Sequence, residues 1–206
     1  MMFCTEMESD VRTQRFALKI GMMGDSGVGK RTLARIISRM GAVEERYLEI
    51  LGIAIAAYDF THSSEGIEIM AKIVLWDITG KRQFRHLHEK YSKGARAGIV
   101  VSDASRIGTV LNMPQWADRF REVAGPVPMV WVVNKADLVN KIQLIQTKQR
   151  AQDLALSYRA PVLTTTAKDD YTAAQPFLKI AKDLCQMIED GFLASRGEAV
   201  GQEGNN

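Results

Sequence analysis

Nine residues near the start of the chain have the types and spacing of a phosphate-binding loop with one position altered: Gly24-Asp25-Ser26-Gly27-Val28-Gly29-Lys30-Arg31-Thr32. The pattern G-x-x-x-x-G-K is normally followed at once by Ser or Thr. Gly24, Gly29 and Lys30 fit it, and Arg31 stands in the hydroxyl position. The glycines let backbone N–H groups wrap a phosphate, and Lys30 supplies a point charge. The missing hydroxyl would hold Mg²⁺. The same nine residues therefore point to a nucleotide and away from its usual metal. Taken alone, the loop also fits a glycine-rich structural turn.

Three further segments change that weighing. Trp76-Asp77-Ile78-Thr79-Gly80 follows an apolar run. A carboxylate there, opposite a phosphate loop, can hold a hydrated Mg²⁺; by itself it reads as an Asp–Gly turn. Asn134-Lys135-Ala136-Asp137 follows another apolar run. Asp137 can accept hydrogen bonds from guanine N1–H and the 2-amino group. Adenine has neither donor, so such a site rejects it. The Lys135 stem can lie over the base. By itself this segment reads as a strand-end turn with a helix cap. Thr166-Ala167-Lys168 can offer a backbone N–H to guanine O6 and set a lysine beside the base. Each segment is weak alone; four in this order, each after a strand, form a strong pattern.

The elements that must position them are legible as alternating runs. Phe16–Met23 reads as a buried strand feeding the loop, and a helix follows from about Lys30 to Met40. Ile53–Phe60 and Ile67–Trp76 read as the two arms of a hairpin around a turn at Ser63–Gly66. Gly98–Ser102, Val127–Val133 and Pro161–Thr164 are further apolar runs, separated by helical stretches at Pro114–Val123 and Leu144–Tyr158. A closing helix from about Ala173 to Ala194 puts Phe177, Ile180, Ala181, Leu184 and Ile188 on one face. Buried strands alternating with helices mean an α/β fold with a mainly parallel sheet covered on both faces and one antiparallel edge. Ligands in such sheets sit at the carboxyl ends of the strands, where all four segments fall. Residues 1–14 read as a flexible N-terminus, 15–194 as one domain and 195–206 as a flexible tail.

Bulk composition excludes several classes. The chain has 206 residues and a net charge of +3, from 27 basic and 24 acidic side chains. The basic residues are scattered, so no nucleic-acid partner is expected. Cys4 and Cys185 have no metal spacing, and three histidines do not complete a zinc set. Free thiols suit a reducing compartment, hence the cytoplasm. No segment reaches the roughly 18 apolar residues of a membrane span. The ends carry neither a secretory signal nor a lipidation motif, so no direct lipid anchor is expected and a partner would have to recruit the chain to a membrane.

These motifs resemble those of the Ras-like small GTPases, most closely the Rab-like branch. Gly24–Lys30 is similar to the Rab phosphate loop. Gly80-Lys81-Arg82-Gln83-Phe84-Arg85-His86-Leu87 and Tyr91-Ser92-Lys93-Gly94-Ala95 resemble switch II. Asn134-Lys135-Ala136-Asp137-Leu138 and Thr166-Ala167-Lys168 resemble the two guanine-recognition motifs. The resemblance covers about residues 15–190. It implies a P-loop NTPase fold with a six-stranded sheet and five helices, GTP and GDP as ligands, and Mg²⁺ as cofactor. It also implies effector and regulator proteins that bind through two switch surfaces.

The departures from the family fall on catalysis. Arg31 cannot ligate a cation, although its guanidinium can pair with phosphate oxygens. Thr32 is no substitute, because one helical step turns a side chain by about 100°. Aligning Tyr47-Leu48-Glu49-Ile50-Leu51-Gly52 with switch I puts Ile50 where the family has a threonine that binds Mg²⁺ and the γ-phosphate. Lys81 occupies the place of the glutamine that orients the attacking water, and a protonated lysine has no acceptor. Phosphate and guanine binding are thus expected through Asp25–Thr32, Asp77, Gly80, Asn134, Lys135, Asp137, Leu138 and Thr166–Lys168. Hydrolysis is expected to be slow or to depend on a partner. The alternative is a pseudoGTPase that keeps the fold only as an interaction module.

Overall fold

The structure is a computed structural model that describes residues 12–40, 46–48, 53–64, 67–78 and 91–203. Its strands are β1 (Arg12–Met23), β2 (Arg46–Leu48), β3 (Ile53–Ser64), β4 (Ile67–Ile78), β5 (Ala97–Asp103), β6 (Met129–Asn134) and β7 (Val162–Thr164). Its helices are α1 (Lys30–Met40), α2 (Ile107–Leu111), α3 (Met113–Ala124), α4 (Lys141–Ala155) and α5 (Asp170–Glu203). One sheet runs in the order β2-β3-β4-β1-β5-β6-β7. β4, β1, β5, β6 and β7 are parallel, and β3 pairs antiparallel with β4, as the hairpin predicts. The expected six strands are therefore present. The three-residue β2, which no apolar run announces, adds to the edge of β3. β1 begins ahead of Phe16, and α5 runs past Ala194 to Glu203.

β5 and β6 are buried at every residue because helices cover both faces of the sheet. Alternation along these strands divides the core in two. Val101, Val130 and Val132 face the side of α1 and α5, among Leu33, Ile36, Phe177 and Ile180. Val100, Trp131 and Val133 face the other side, with Val110, Phe120 and Ala151. Tyr58 Oη donates to Phe177 O at 2.8 Å, and His62 Nε2 meets Glu189 Oε2 at 2.9 Å, so β3 is tied to α5 twice.

One packing detail sets the position of α3. Gly21 and Gly98 are cross-strand partners on β1 and β5. A Cβ at Gly21 would lie 2.4 Å from the Phe120 ring, and one at Gly98 would lie 2.8 Å from it. The glycine pair thus forms the seat into which α3 docks Phe120. One helical turn earlier Trp116 faces the phosphate loop. Gly21→Ala overfills this seat and is expected to lower stability by about 1–3 kcal/mol. Chemical denaturation checks this: adding Phe120→Leu should cost less than the sum of the two single changes.

Candidate functional site

The strand ends bring the sequence motifs together. β1 ends at Met23 and the phosphate loop follows, entering α1 at Lys30. Two glycines there have no tolerable replacement. Gly24 has φ +143° and its Cβ would meet Val101 O at 2.1 Å; Gly29 has φ +103° and its Cβ would meet Asn134 Nδ2 at 2.3 Å.

Each carbonyl of the loop is held by a donor. Lys30 Nζ donates to Gly24 O and Asp25 O, both at 2.9 Å. Arg106 Nη2 donates to Ser26 O at 3.1 Å, Lys135 Nζ to Gly27 O at 2.7 Å, and Asn134 Nδ2 to Val28 O at 2.9 Å. Gly29 O accepts the first helical bond, from Leu33 N at 3.0 Å. Peptides in this loop are trans, and a trans peptide points its N–H opposite to its C=O. Carbonyls drawn toward Arg106, Lys135 and Asn134 therefore leave the N–H groups of Gly27, Val28 and Gly29 facing the other way, as an anion cradle. α1 supports the same reading. Its first turn holds Lys30 and Arg31 and no acidic residue. Cations there oppose the helix macrodipole, and a bound anion offsets both.

The base-reading segments lie beside this loop. Asn134 is buried, and its Oδ1 accepts from Thr165 Oγ1 at 2.8 Å, so one amide links β6, the end of β7 and the phosphate loop. Lys135 adopts a left-handed conformation at φ 60°. Ala136 N donates to Thr165 O at 3.0 Å. Asp137 is exposed and accepts from Thr166 Oγ1 at 2.7 Å and from Lys168 Nζ at 2.8 Å. The Lys168 ammonium, with the Thr166 hydroxyl, holds the Asp137 carboxyl below its ordinary range. It is thus an ionised acceptor with lone pairs left for a base. Leu138 and Ala167 are exposed at the rim. The donor set fits a guanine nucleotide: N–H groups and Lys30 for phosphate, Asp137 for the base.

The positions expected to bear on the metal are spread over three segments. Arg31 and Thr32 are both exposed on α1, and the Arg31 side chain carries no oxygen. Asp77 lies at the carboxyl end of β4, where its backbone pairs with Met22. Gly80, Lys81 and Ile50 lie outside the described residues.

The sequence reading missed the polar groups that surround the loop. Asp103 closes β5, and its side chain is only 2% exposed. Its Oδ2 meets Lys135 Nζ at 2.8 Å and Arg106 Nε at 3.0 Å, and its Oδ1 accepts from Ser105 N and Oγ. Trp116 Nε1 donates to Asp25 Oδ1 and Asn112 Nδ2 donates to Asp25 Oδ2, both at 2.8 Å. A charged residue ending the apolar run Gly98–Ser102 was the available signal for Asp103. Nothing local marks Trp116 or Asn112.

A profile of the Ras family matches residues 19–186. The GTP-binding protein ypt1 of Schizosaccharomyces pombe is 29% identical over 184 residues, covering 87% of this chain and 86% of that protein. The Ras-related protein Rab-1D of Dictyostelium discoideum is 30% identical over 179 residues, covering 85% and 83%. The human Ras-related protein Rab-8B is 29% identical over 194 residues, covering 92% and 89%. The chain belongs to the Ras family of small GTPases, in its Rab-like branch.

Burial pushes the Asp103 carboxyl up, but hydrogen bonds from Lys135, Ser105 and Arg106 outweigh it and bring the group down to about 2 from 3.8. The unfolded chain therefore binds more protons at this position between about pH 4 and pH 2. The stability Asp103 contributes is present above that window and lost as pH falls through it. An acid-denaturation series should show a shallower slope between pH 4 and 2 for Asp103→Asn than for the wild type.

Proposed function

We propose that this protein is a guanine-nucleotide-binding small GTPase that works by binding partners and hydrolyses GTP slowly or only with a partner's help. The observation that carries this reading is the pairing of a held phosphate loop with Asp137. The loop carbonyls are satisfied from outside, so its N–H groups serve an anion. Asp137 is ionised at the rim, where it selects guanine. Lys30 would neutralise phosphate charge and the Lys135 stem would flank the base. Arg31 supplies a guanidinium in place of a metal-binding hydroxyl, which favours phosphate contact without Mg²⁺ at that position. No water-activating acceptor is supplied by Lys81.

Effectors and regulators are proposed to bind around Ile50–Ile53 and Lys81–Tyr91. In support, Trp76 near the end of β4 stacks on Tyr91 at 5.4 Å between centroids and 25° between planes. Lys19 Nζ sits 4.5 Å above the Trp76 ring and donates to Lys93 O at 2.8 Å. Trp76 and Tyr91 are only partly buried, an aromatic pair of the kind that anchors interfaces. The proposed location is the cytoplasm, with membrane recruitment through a partner. A buried free thiol at Cys185 suits that compartment, and no described helix is long and apolar enough to cross a membrane.

Thermal unfolding with GTP, GDP or ATP, each with Mg²⁺ or with EDTA, tests the reading. GTP and GDP should raise Tm while ATP does not, and the shift should persist in EDTA. At ligand 100-fold over Kd the gain is about 2.7 kcal/mol. No shift with any nucleotide would leave the interaction module as the better reading, which Arg31 by itself favours. Changing Arg31→Ser and Lys81→Gln together should raise single-turnover GTP hydrolysis by at least about tenfold, since it restores the metal ligand and the water-orienting group. Unchanged turnover would locate the deficit elsewhere.

A further inference from the structure

We propose that Asp103 is a positioning residue for nucleotide binding, acting through Arg106 and Lys135 on the outer wall of the phosphate loop. The proposal rests on the reading that this site binds a guanine nucleotide. Asp103 touches neither the phosphate cradle nor the base acceptor. One of its oxygens, Oδ1, is fixed by Ser105 N at 3.0 Å and Ser105 Oγ at 2.7 Å. That leaves Oδ2 aimed at two cations, Lys135 Nζ and Arg106 Nε. Each cation spends a second hydrogen bond on the loop: Arg106 on Ser26 O, Lys135 on Gly27 O.

Three physical consequences follow. Two cations reaching adjacent carbonyls would repel each other, and the buried carboxylate between them removes that cost. Their donors fix the peptides of Ser26 and Gly27, so the N–H groups of Gly27 and Val28 are set toward a phosphate before it arrives. Preorganised donors of this kind hold an anion without further ordering. Lys135 also belongs to the base-reading segment, so the base and phosphate halves of the site share one carboxylate. Arg106 lies in none of the sequence motifs that bind nucleotide. Its Nη2 lies 3.6 Å from where a Cβ on Gly27 would be, against the bend at φ +75°.

The test compares GDP with GMP, which lacks the second phosphate, by calorimetric titration of the full chain. Arg106→Ala should weaken GDP about tenfold, the value of one charge-assisted hydrogen bond, and GMP about threefold or less. Arg106→Lys should recover most of the loss, because charge and one donor remain. Asp103→Asn should weaken GDP at least about tenfold, and Arg106→Ala added to it should change GDP binding less than about twofold. That silence is the signature of one residue acting through the other, which a general loss of stability would not produce. Arg106 is about half exposed, so its variants fold and carry the test even if Asp103→Asn does not. A GDP-to-GMP ratio in Arg106→Ala within about twofold of the wild type would overturn the assignment while leaving nucleotide binding intact. Failure of the wild type to bind GDP at all would remove the nucleotide reading, and this assignment with it.

Discussion

The site depends on one buried amide. Asn134 gives its Nδ2 to Val28 O and takes Thr165 Oγ1 on its Oδ1. Those two bonds join the phosphate loop, the end of β6 and the end of β7, three segments far apart in sequence. A buried amide left unpaired costs about 1–3 kcal/mol for each group stranded. Any displacement of one segment therefore breaks bonds in the others. Gly29 shows how tight the arrangement is: its α-carbon sits where any side chain would strike the Asn134 amide. The neighbouring Lys135 and Asp103 extend the same network to Gly27, and Arg106 extends it to Ser26. From the opposite flank, Trp116 and Asn112 grip the Asp25 carboxylate, with α3 set in place by Phe120 on its glycine seat.

Electrostatics gives this network its direction. Lys30, Arg31, Arg106 and Lys135 gather around the loop, while Asp25 and Asp103 are taken up by partners on its outer side. The inner side keeps the N–H groups of the loop and the positive end of α1. N–H groups and a helix N-terminus gathered on one side are the arrangement that suits a phosphate. Asp137, a carboxylate at the open rim, suits the base end of a nucleotide in the proposed reading.

Much of the fold was legible because the strands that matter are buried on both faces. β5 and β6 read as unbroken apolar runs for that reason, and the hairpin of β3 and β4 announced itself by the turn between its arms. β2 was not legible, since three residues with a charge at Arg46 carry no period. The end of α5 was missed because residues after Ala194 are polar and Gly-containing, and docking surface is what marks a helix end in sequence. At the site, motif residues were found because local spacing encodes them. Asp103, Arg106, Asn112 and Trp116 were not, because their role comes from contacts across 80 or more residues or from strand-end geometry.

Asn134 and Asp137 carry unequal weight as signs of function. A structural role accounts for Asn134 in full, because the fold needs its two bonds whether or not a ligand binds. Lys30 is buried and caps two carbonyls, so it too has a structural account. Asp137 has none of comparable size. It lies at the surface, and its partner Lys168 is 75% exposed, so solvent screens the pair and it adds little to stability. An ionised carboxylate at that rim, held by Thr166 and Lys168 beside a cradle of N–H groups, is what the proposed guanine reading requires. Arg31 is the reverse case: it too is exposed at the start of α1, and there the chain departs from the metal-binding pattern. A functional requirement shows most plainly where the fold asks little of a side chain, and Asp137 is such a position.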